Sequence, residues 1–383
     1  VSDLANSLGL YVHWPYCARI CPYCDFNVFR PKGDDDALLG AILDDMAGWR
    51  EITGSRKLAS LHFGGGTPSL MRAEQIERLI AHAEKLWGFE AGAEIGLEAN
   101  PKDHDQYADF ASAGINRLSV GVQSFDDGAL KQLGRDHDAA LGVRSIEAAK
   151  SAVERVSIDL IYALAEQSLM QWRSELKQAL AFGVGHISPY QLTIEARTAF
   201  GKRAERGEVL ASPEDMAADF FDLTQEVCEQ AGFPAYEISN HARSVADQSR
   251  HNRLYWQGGD WIGVGPGAHG RLGRFSQAGR QALSTQLRPK DYIEAVAKTG
   301  SGLEETEKLS VEDELAERIL MGMRLSSGLD RHVLRQATGL DVDPVALKRL
   351  GDEGYLQQSG DRISLTARGR LFADRLSGEL VPD

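Results

Sequence analysis

A chain of 383 residues, 43% hydrophobic and 26% charged, can bury one large core and a smaller second one. Its 42 basic side chains against 56 acidic ones leave a formal charge of −14, which excludes a broad nucleic-acid or anionic-membrane surface. No basic segment leading into an apolar one opens the sequence and no run of about eighteen apolar residues interrupts it, so neither export nor membrane spanning is expected, and the cytoplasm is the default compartment.

From residue 9 to 240 short β-rich runs alternate with amphipathic stretches. GLYVHW, LASLHFGGG, AEIGLEAN, RLSVGVQS, VSIDLIYAL and HISPYQLT read as six strands, and five segments between them carry apolar residues at helical spacing. Strand, helix, strand repeated in this way gives an α/β fold with a parallel sheet, a partial (β/α)6 barrel whose function sits at the C-terminal strand ends. A closed eight-stranded barrel is the alternative. On either reading Gly64 to Thr67, Glu98, Gln123 and Asp159 close or line their strands and meet on one rim.

Residues 1–240 are thus expected to form the barrel, 241–302 a connecting region containing HNRLYW and the glycine-rich GDWIGVGPGAHG, and 303–383 a C-terminal winged-helix-like α+β domain. That last segment has 11 basic and 16 acidic side chains, so it lacks the electrostatic footprint of a DNA reader and reads as a packing or lid domain.

Three of the four cysteines fall within YCARICPYCDF. Cys17, Cys21 and Cys24 form CxxxCxxC directly after the first strand, where one loop can wrap three thiolates around a corner of an iron-sulfur cluster and leave one iron open. A structural zinc site needs a fourth ligand, for which His13 is the near candidate. Cys228, inside an apolar helical pattern, reads as core. The GGGTPS turn lets backbone amides approach a charged ligand, or is a plain strand-to-helix turn. Glu98, Gln123 and Asp159 are candidate ribose and amino-acid contacts, or satisfied structural groups; Arg135 could clamp a carboxylate, or lie on the surface.

CxxxCxxC after strand one, with Tyr23 before the last cysteine, resembles the radical S-adenosylmethionine (SAM) superfamily. That resemblance implies a 4Fe-4S cluster on Cys17, Cys21 and Cys24, whose open iron chelates SAM and whose electron cleaves it to a 5'-deoxyadenosyl radical. More narrowly, YVHWPYC, CPYCDFN, GGGTPS, EANP, GVQSF, LGRDHD, IDLIY, YQLTIE, HNRLYW and GVGPGAHG resemble the oxygen-independent coproporphyrinogen III oxidase family, in its HemW-type haem-chaperone branch, from about residue 9 to the C-terminus. The resemblance implies Tyr11, Tyr23, Gly65, Gly66, Thr67, Glu98, Gln123, Arg135 and Asp159 as SAM-site positions. It also implies His251 as a haem ligand beside Tyr255 and Trp256, which otherwise read as a solvated histidine and core anchors.

Two departures separate this chain from the oxidase branch, which carries a further cysteine where Phe26 stands and a longer segment before the first strand. The chain also departs from the pattern of the family it resembles: after IDLIY that pattern continues Gly-Leu-Pro-x-Gln, where this chain has Ala163 to Gln167, which predicts a less constrained turn. The leading expectation is a cytosolic chaperone that binds the cluster, SAM and haem and delivers haem to membrane respiratory proteins, with limited or regulatory radical chemistry. A porphyrinogen-decarboxylating enzyme and a zinc-loop interaction module are the alternatives. The family analogy permits a homodimer, and no basic amphipathic helix marks a membrane-docking face.

Overall fold

Alternation within the strands sets the architecture. In β1 (Leu8–Trp14), β2 (Leu58–Gly65), β3 (Phe89–Ala99), β4 (Arg117–Gln123), β5 (Arg155–Tyr162) and β6 (His186–Gln191), every second side chain is apolar: Leu10, Val12, Leu61, Phe63, Leu97, Val120 and Ile158 are all fully buried. They pack in one cluster with Leu38, Ile42, Leu79, Phe110, Ile146 and Trp172 from the surrounding helices. Each such side chain contributes about 1.5–3 kcal/mol on burial. These helices are α1 (Asp35–Thr53), α2 (Ala73–Leu86), α3 (Tyr107–Ser112), α4 (Asp127–Gln132), α5 (Ala139–Ala152) and α6 (Leu169–Ala181), with α7 (Ala199–Ala204) and α8 (Glu214–Gln230) after β6. Local chemistry fixes their starts: Ser168 and Gln171 form a reciprocal capping box at α6. Cys228 is fully buried in α8, as core.

The computed structural model describes residues 7–273 and 279–382. Strands β1 to β6 lie side by side and parallel, as expected of the partial barrel. The sheet does not stop there. Residues 241–302 are not a bare connection: they supply β7 (His241–Ala242), α9 (Arg250–Trp256), β8 (Asp260–Val264), β9 (His269–Leu272), β10 (Gln281–Thr285) and α10 (Pro289–Thr299). With β11 (Leu303–Lys308) these strands extend the sheet to the order β11-β10-β9-β8-β1-β2-β3-β4-β5-β6-β7. β8 runs parallel to β1, and the edges at β11 and β7 leave the barrel open rather than closed.

Beyond β11 a second core gathers Leu315, Ile319, Leu350, Ile363 and Leu380. It is built from α11 (Val311–Arg324), β12 (Leu329–Asp330), α12 (Arg331–Thr338), α13 (Pro344–Asp352), β13 (Leu356–Ser359), β14 (Arg362–Leu365), α14 (Ala367–Arg370) and α15 (Ala373–Glu379). The β13–β14 wing is where the sequence places it, and β12 pairs on its far side. No helix among the described residues is long and apolar enough to cross a membrane.

The other face of the six strands is polar or glycine: Tyr11 and His13 on β1, Ser60 and His62 on β2, Glu94, Gly96 and Glu98 on β3, Ser119 on β4, Ser157 and Asp159 on β5, His186 and Ser188 on β6. These side chains meet across the concave side of the sheet. At its floor, fully buried Glu94 accepts from Arg155 Nη2 at 2.7 Å and lies 3.8 Å from Arg117 Nη1. The same carboxylate accepts the backbone N–H groups of Arg250 (2.9 Å) and His251 (3.0 Å), capping α9 from 157 residues away.

The turn after β5 holds despite its missing glycine and proline. Ala163 sits at φ 63°, a left-handed conformation, where its N–H donates to Gln167 Oε1 at 2.8 Å and its carbonyl accepts from Ser212 N at 2.9 Å. The turn is therefore constrained by Gln167 and Ser212, with strain at one alanine. Restoring glycine relieves it: A163G is expected to raise unfolding free energy by about 1 kcal/mol, read from urea midpoints.

Candidate functional site

At the C-terminal ends of the strands a cavity of about 390 Å³ opens beneath the cysteine loop. The fold holds that loop from three sides. Cys17 N donates to Phe29 O (2.9 Å) and Phe29 N to Pro15 O (2.7 Å), while Phe200 N of α7 reaches Pro22 O (2.8 Å). Asn27 Nδ2 donates to Pro266 O (2.9 Å) and Leu287 O (2.7 Å), so the glycine-rich GVGPG segment buttresses the cysteine loop. Tyr23 packs over a small cluster of Leu133, Ile161, Leu192 and Phe200.

Eleven of the expected positions line the cavity together: Cys17, Cys21, Cys24, Tyr23, Gly65, Gly66, Thr67, Glu98, Gln123, Arg135 and Asp159. Two do not. Tyr11 lies half-buried with its hydroxyl 3.1 Å from His13 Nδ1, and His251 is buried in α9. Phe26, where the oxidase branch has a further cysteine, is 61% exposed at the cavity mouth.

The donor set suits a cluster larger than one ion. Thr67 Oγ1 lies 3.3 Å from Cys17 Sγ, and Arg135 Nη1 lies 3.5 Å from Cys21 Sγ, both placed to donate to thiolates. Burial pushes the Cys17 thiol up and the Cys24 thiol up to about 11, so a metal binding there displaces thiol protons. Among the described residues no three His, Cys, Asp or Glu side chains form a group for a single metal ion. His13 does not complete a zinc site, because its second ring nitrogen, Nε2, is taken by Asn27 O at 3.0 Å. Three thiols around a shared space, with room left beside them, fit a 4Fe-4S cubane with an open corner.

The glycine turn fits close approach. Gly65 takes φ 107°, and a Cβ on it would fall 2.6 Å from the His13 ring. A Cβ on Gly66 would fall 2.8 Å from Tyr16 O. Gly65 N donates to Glu98 Oε2 at 3.3 Å, tying the turn to β3. On β5, burial pushes Asp159 up to about 6, with Glu98 adding to the rise and hydroxyls of Ser119, Ser188 and Ser157 opposing it. Ser119 Oγ sits 2.9 and 2.8 Å from the two carboxylate oxygens. Gln123 stands at φ 69° at the end of β4, a strained conformation for a non-glycine residue and one that concentrates at ligand sites. Arg135 is not a surface arginine: Nη2 donates to Gly121 O at 3.0 Å, and its buried Nε has no partner among the described residues.

Sequence reasoning missed Ser119, Asn100, Asp136 and Tyr190, which also line the cavity. The signal for two of them was period-two spacing: Ser119 precedes Gly121 and Gln123 on one face of β4, and Tyr190 follows Ser188 on β6.

Residues 11–177 match the Radical SAM superfamily, and residues 309–372 match the HemN C-terminal domain. The chain is 35% identical over 383 aligned residues to the Heme chaperone HemW of Haemophilus influenzae, covering 96% of each chain. It is 36% identical over 327 residues to mouse Radical S-adenosyl methionine domain-containing protein 1, mitochondrial, covering 84% of this chain and 74% of that one. The solved Escherichia coli coproporphyrinogen III oxidase (HemN) shares its fold at a TM-score of 0.82 and 23% identity, over 99% of this chain and 91% of that chain. An open sheet with this cysteine loop at its rim, and similarity running almost end to end, place the chain in the radical SAM superfamily, among the HemW-like proteins with a HemN C-terminal domain.

Proposed function

We propose that this chain is a cytosolic haem chaperone that holds a 4Fe-4S cluster through Cys17, Cys21 and Cys24, binds SAM in the adjoining cavity and passes haem to respiratory proteins. The observation that carries the reading is similarity over nearly the whole of both chains to proteins named haem chaperones. Bound, the cluster supplies an open iron for SAM's amino and carboxylate groups and an electron for its cleavage.

The chain's own residues have distinct tasks in this reading. Arg135 is placed for charge-assisted contact with a carboxylate, the Gly65–Thr67 turn for the amino group, and Glu98 and Asp159 for ribose hydroxyls. Haem is the cargo. His251 has Nδ1 3.1 Å from Ser60 Oγ, which fixes its orientation and leaves Nε2 to meet iron. Burial and the neighbouring His62 lower its pKa to about 3 against the pull of Glu94, so the imidazole is neutral, the form that ligates a metal. Because the ring lies stacked under His62, haem reaches it only when that stack opens.

Haem titration into the anaerobically reconstituted chain tests this. Wild type is expected to bind haem with a sharp Soret band and to release it to a haem-free acceptor. His251→Ala is expected to lose at least about tenfold in affinity with a changed band. Absence of haem binding, or conversion of coproporphyrinogen III to protoporphyrinogen in the presence of SAM and reductant, would overturn the chaperone reading.

A further inference from the structure

A continuous line of side chains runs from the cavity to α9. Glu98, at the cavity wall, has Oε1 3.2 Å from His62 Nε2. The His62 ring lies flat on His251, with centroids 4.9 Å apart and planes 10° from parallel. Tyr11 stacks against both, at 6.3 Å from His62 and 6.1 Å from His251. Ser60 then ties His251 back to β2.

His62 is held in this line at a cost. Its Nδ1 is buried with no hydrogen-bond partner among the described residues, so the ring's only polar contact there is the one to Glu98. Space for the ring exists because β3 carries glycine beside it: a Cβ on Gly96 would fall 2.8 Å from His62 Nδ1. Glu98 itself is loosely held. Its side chain is 40% exposed, and its other contact, from Gly65 N, is long at 3.3 Å. Without His62 the carboxylate is free to swing into the cavity or away from it.

We propose that His62 is a positioning residue that aims Glu98 at a ribose in the cavity and transmits the state of His251 to it, so that nucleoside binding and α9 are energetically linked. This rests on the SAM and haem reading above. A group drawn onto His251 must pull that ring out of the stack, which removes the surface behind His62 and loosens Glu98. By linkage, a nucleoside that fixes Glu98 resists the same opening.

Titration of SAM into the anaerobically reconstituted full chain tests the link through affinity alone. His62→Phe keeps a stacking ring but loses the donor, and is expected to weaken SAM binding about tenfold. His62→Gln keeps a donor and loses the ring, and is expected to stay within about threefold of wild type. His251→Ala, outside the cavity, is expected to weaken SAM about threefold in the wild-type background and to have no effect in His62→Gln. Equal losses from His251→Ala in both backgrounds, or SAM affinity unchanged in His62→Phe, would overturn the proposal. Should His62→Phe lower the unfolding midpoint, Gly96→Ala displaces the same ring from the other side, and unchanged affinity there overturns it equally. A wild type that binds haem and SAM with no such link sinks this inference alone; a wild type that binds no SAM sinks both it and the reading it rests on.

Discussion

Replacing any one of Cys17, Cys21 or Cys24 with alanine is expected to leave a folded chain that no longer assembles its cluster. Each thiol lines the rim cavity rather than the main core, so the barrel's stability does not depend on it. The cluster does. Two remaining thiolates cannot replace the third, since the histidine nearest in sequence, His13, already has both ring nitrogens engaged by Tyr11 and Asn27. Iron after anaerobic reconstitution is expected to fall from about four per chain by on the order of tenfold, with loss of the brown chromophore. Cys228→Ala serves as the control, because that thiol is buried in the α8 core and its loss leaves iron content unchanged. Iron retained in full by a Cys21→Ala chain would remove the loop from the account.

The second large effect lies at the floor of the barrel. Glu94→Ala is expected to destabilise the protein by about 3–5 kcal/mol, because it strips buried Arg117 and half-buried Arg155 of their carboxylate and leaves the first N–H groups of α9, those of Arg250 and His251, without their acceptor. Burial alone would raise the Glu94 pKa. Arg117, Arg155 and the N–H groups of Arg250 and His251 outweigh it and hold the carboxyl at about 2, below its ordinary 4.5. A depressed folded-state value means stability that is present above about pH 4.5 and drains away as pH falls toward 2, on the order of 3 kcal/mol in all. Urea midpoints of wild type measured from pH 7 down to pH 3 should therefore decline more steeply than those of Glu94→Gln. Parallel curves would show that the carboxylate is not held this way. The loss should also reach α9, which carries the proposed haem ligand His251.

Much of this was legible before any coordinates. The six parallel strands announce themselves through alternation, and the cysteines, the GGGTP turn, Glu98, Gln123 and Asp159 stand out because polar groups that close or line an otherwise apolar strand have to serve something. What stayed hidden depends on partners distant in sequence. α9 is only seven residues long, too short for a helical period to register, and the carboxylate that caps it sits on β3. β11 reads LEETEK, almost wholly exposed and without apolar alternation, so nothing local marks it as a strand; its pairing with β10 does. Tyr11 and His62 share the concave face with the expected ligand positions, yet whether such a residue touches a ligand or a neighbour depends on depth along the strand, which spacing does not encode. Arg135 is the converse case, a residue from an ordinary-looking turn that the topology folds back against Cys21.

The most direct test is electron paramagnetic resonance of the reduced, anaerobically reconstituted chain with and without SAM. A reduced 4Fe-4S signal whose g values shift when SAM is added is expected if, as proposed, the sulfonium compound's amino and carboxylate groups take the one iron that Cys17, Cys21 and Cys24 would leave open. A chain that takes up no iron, or a cluster signal identical with and without SAM, would contradict it.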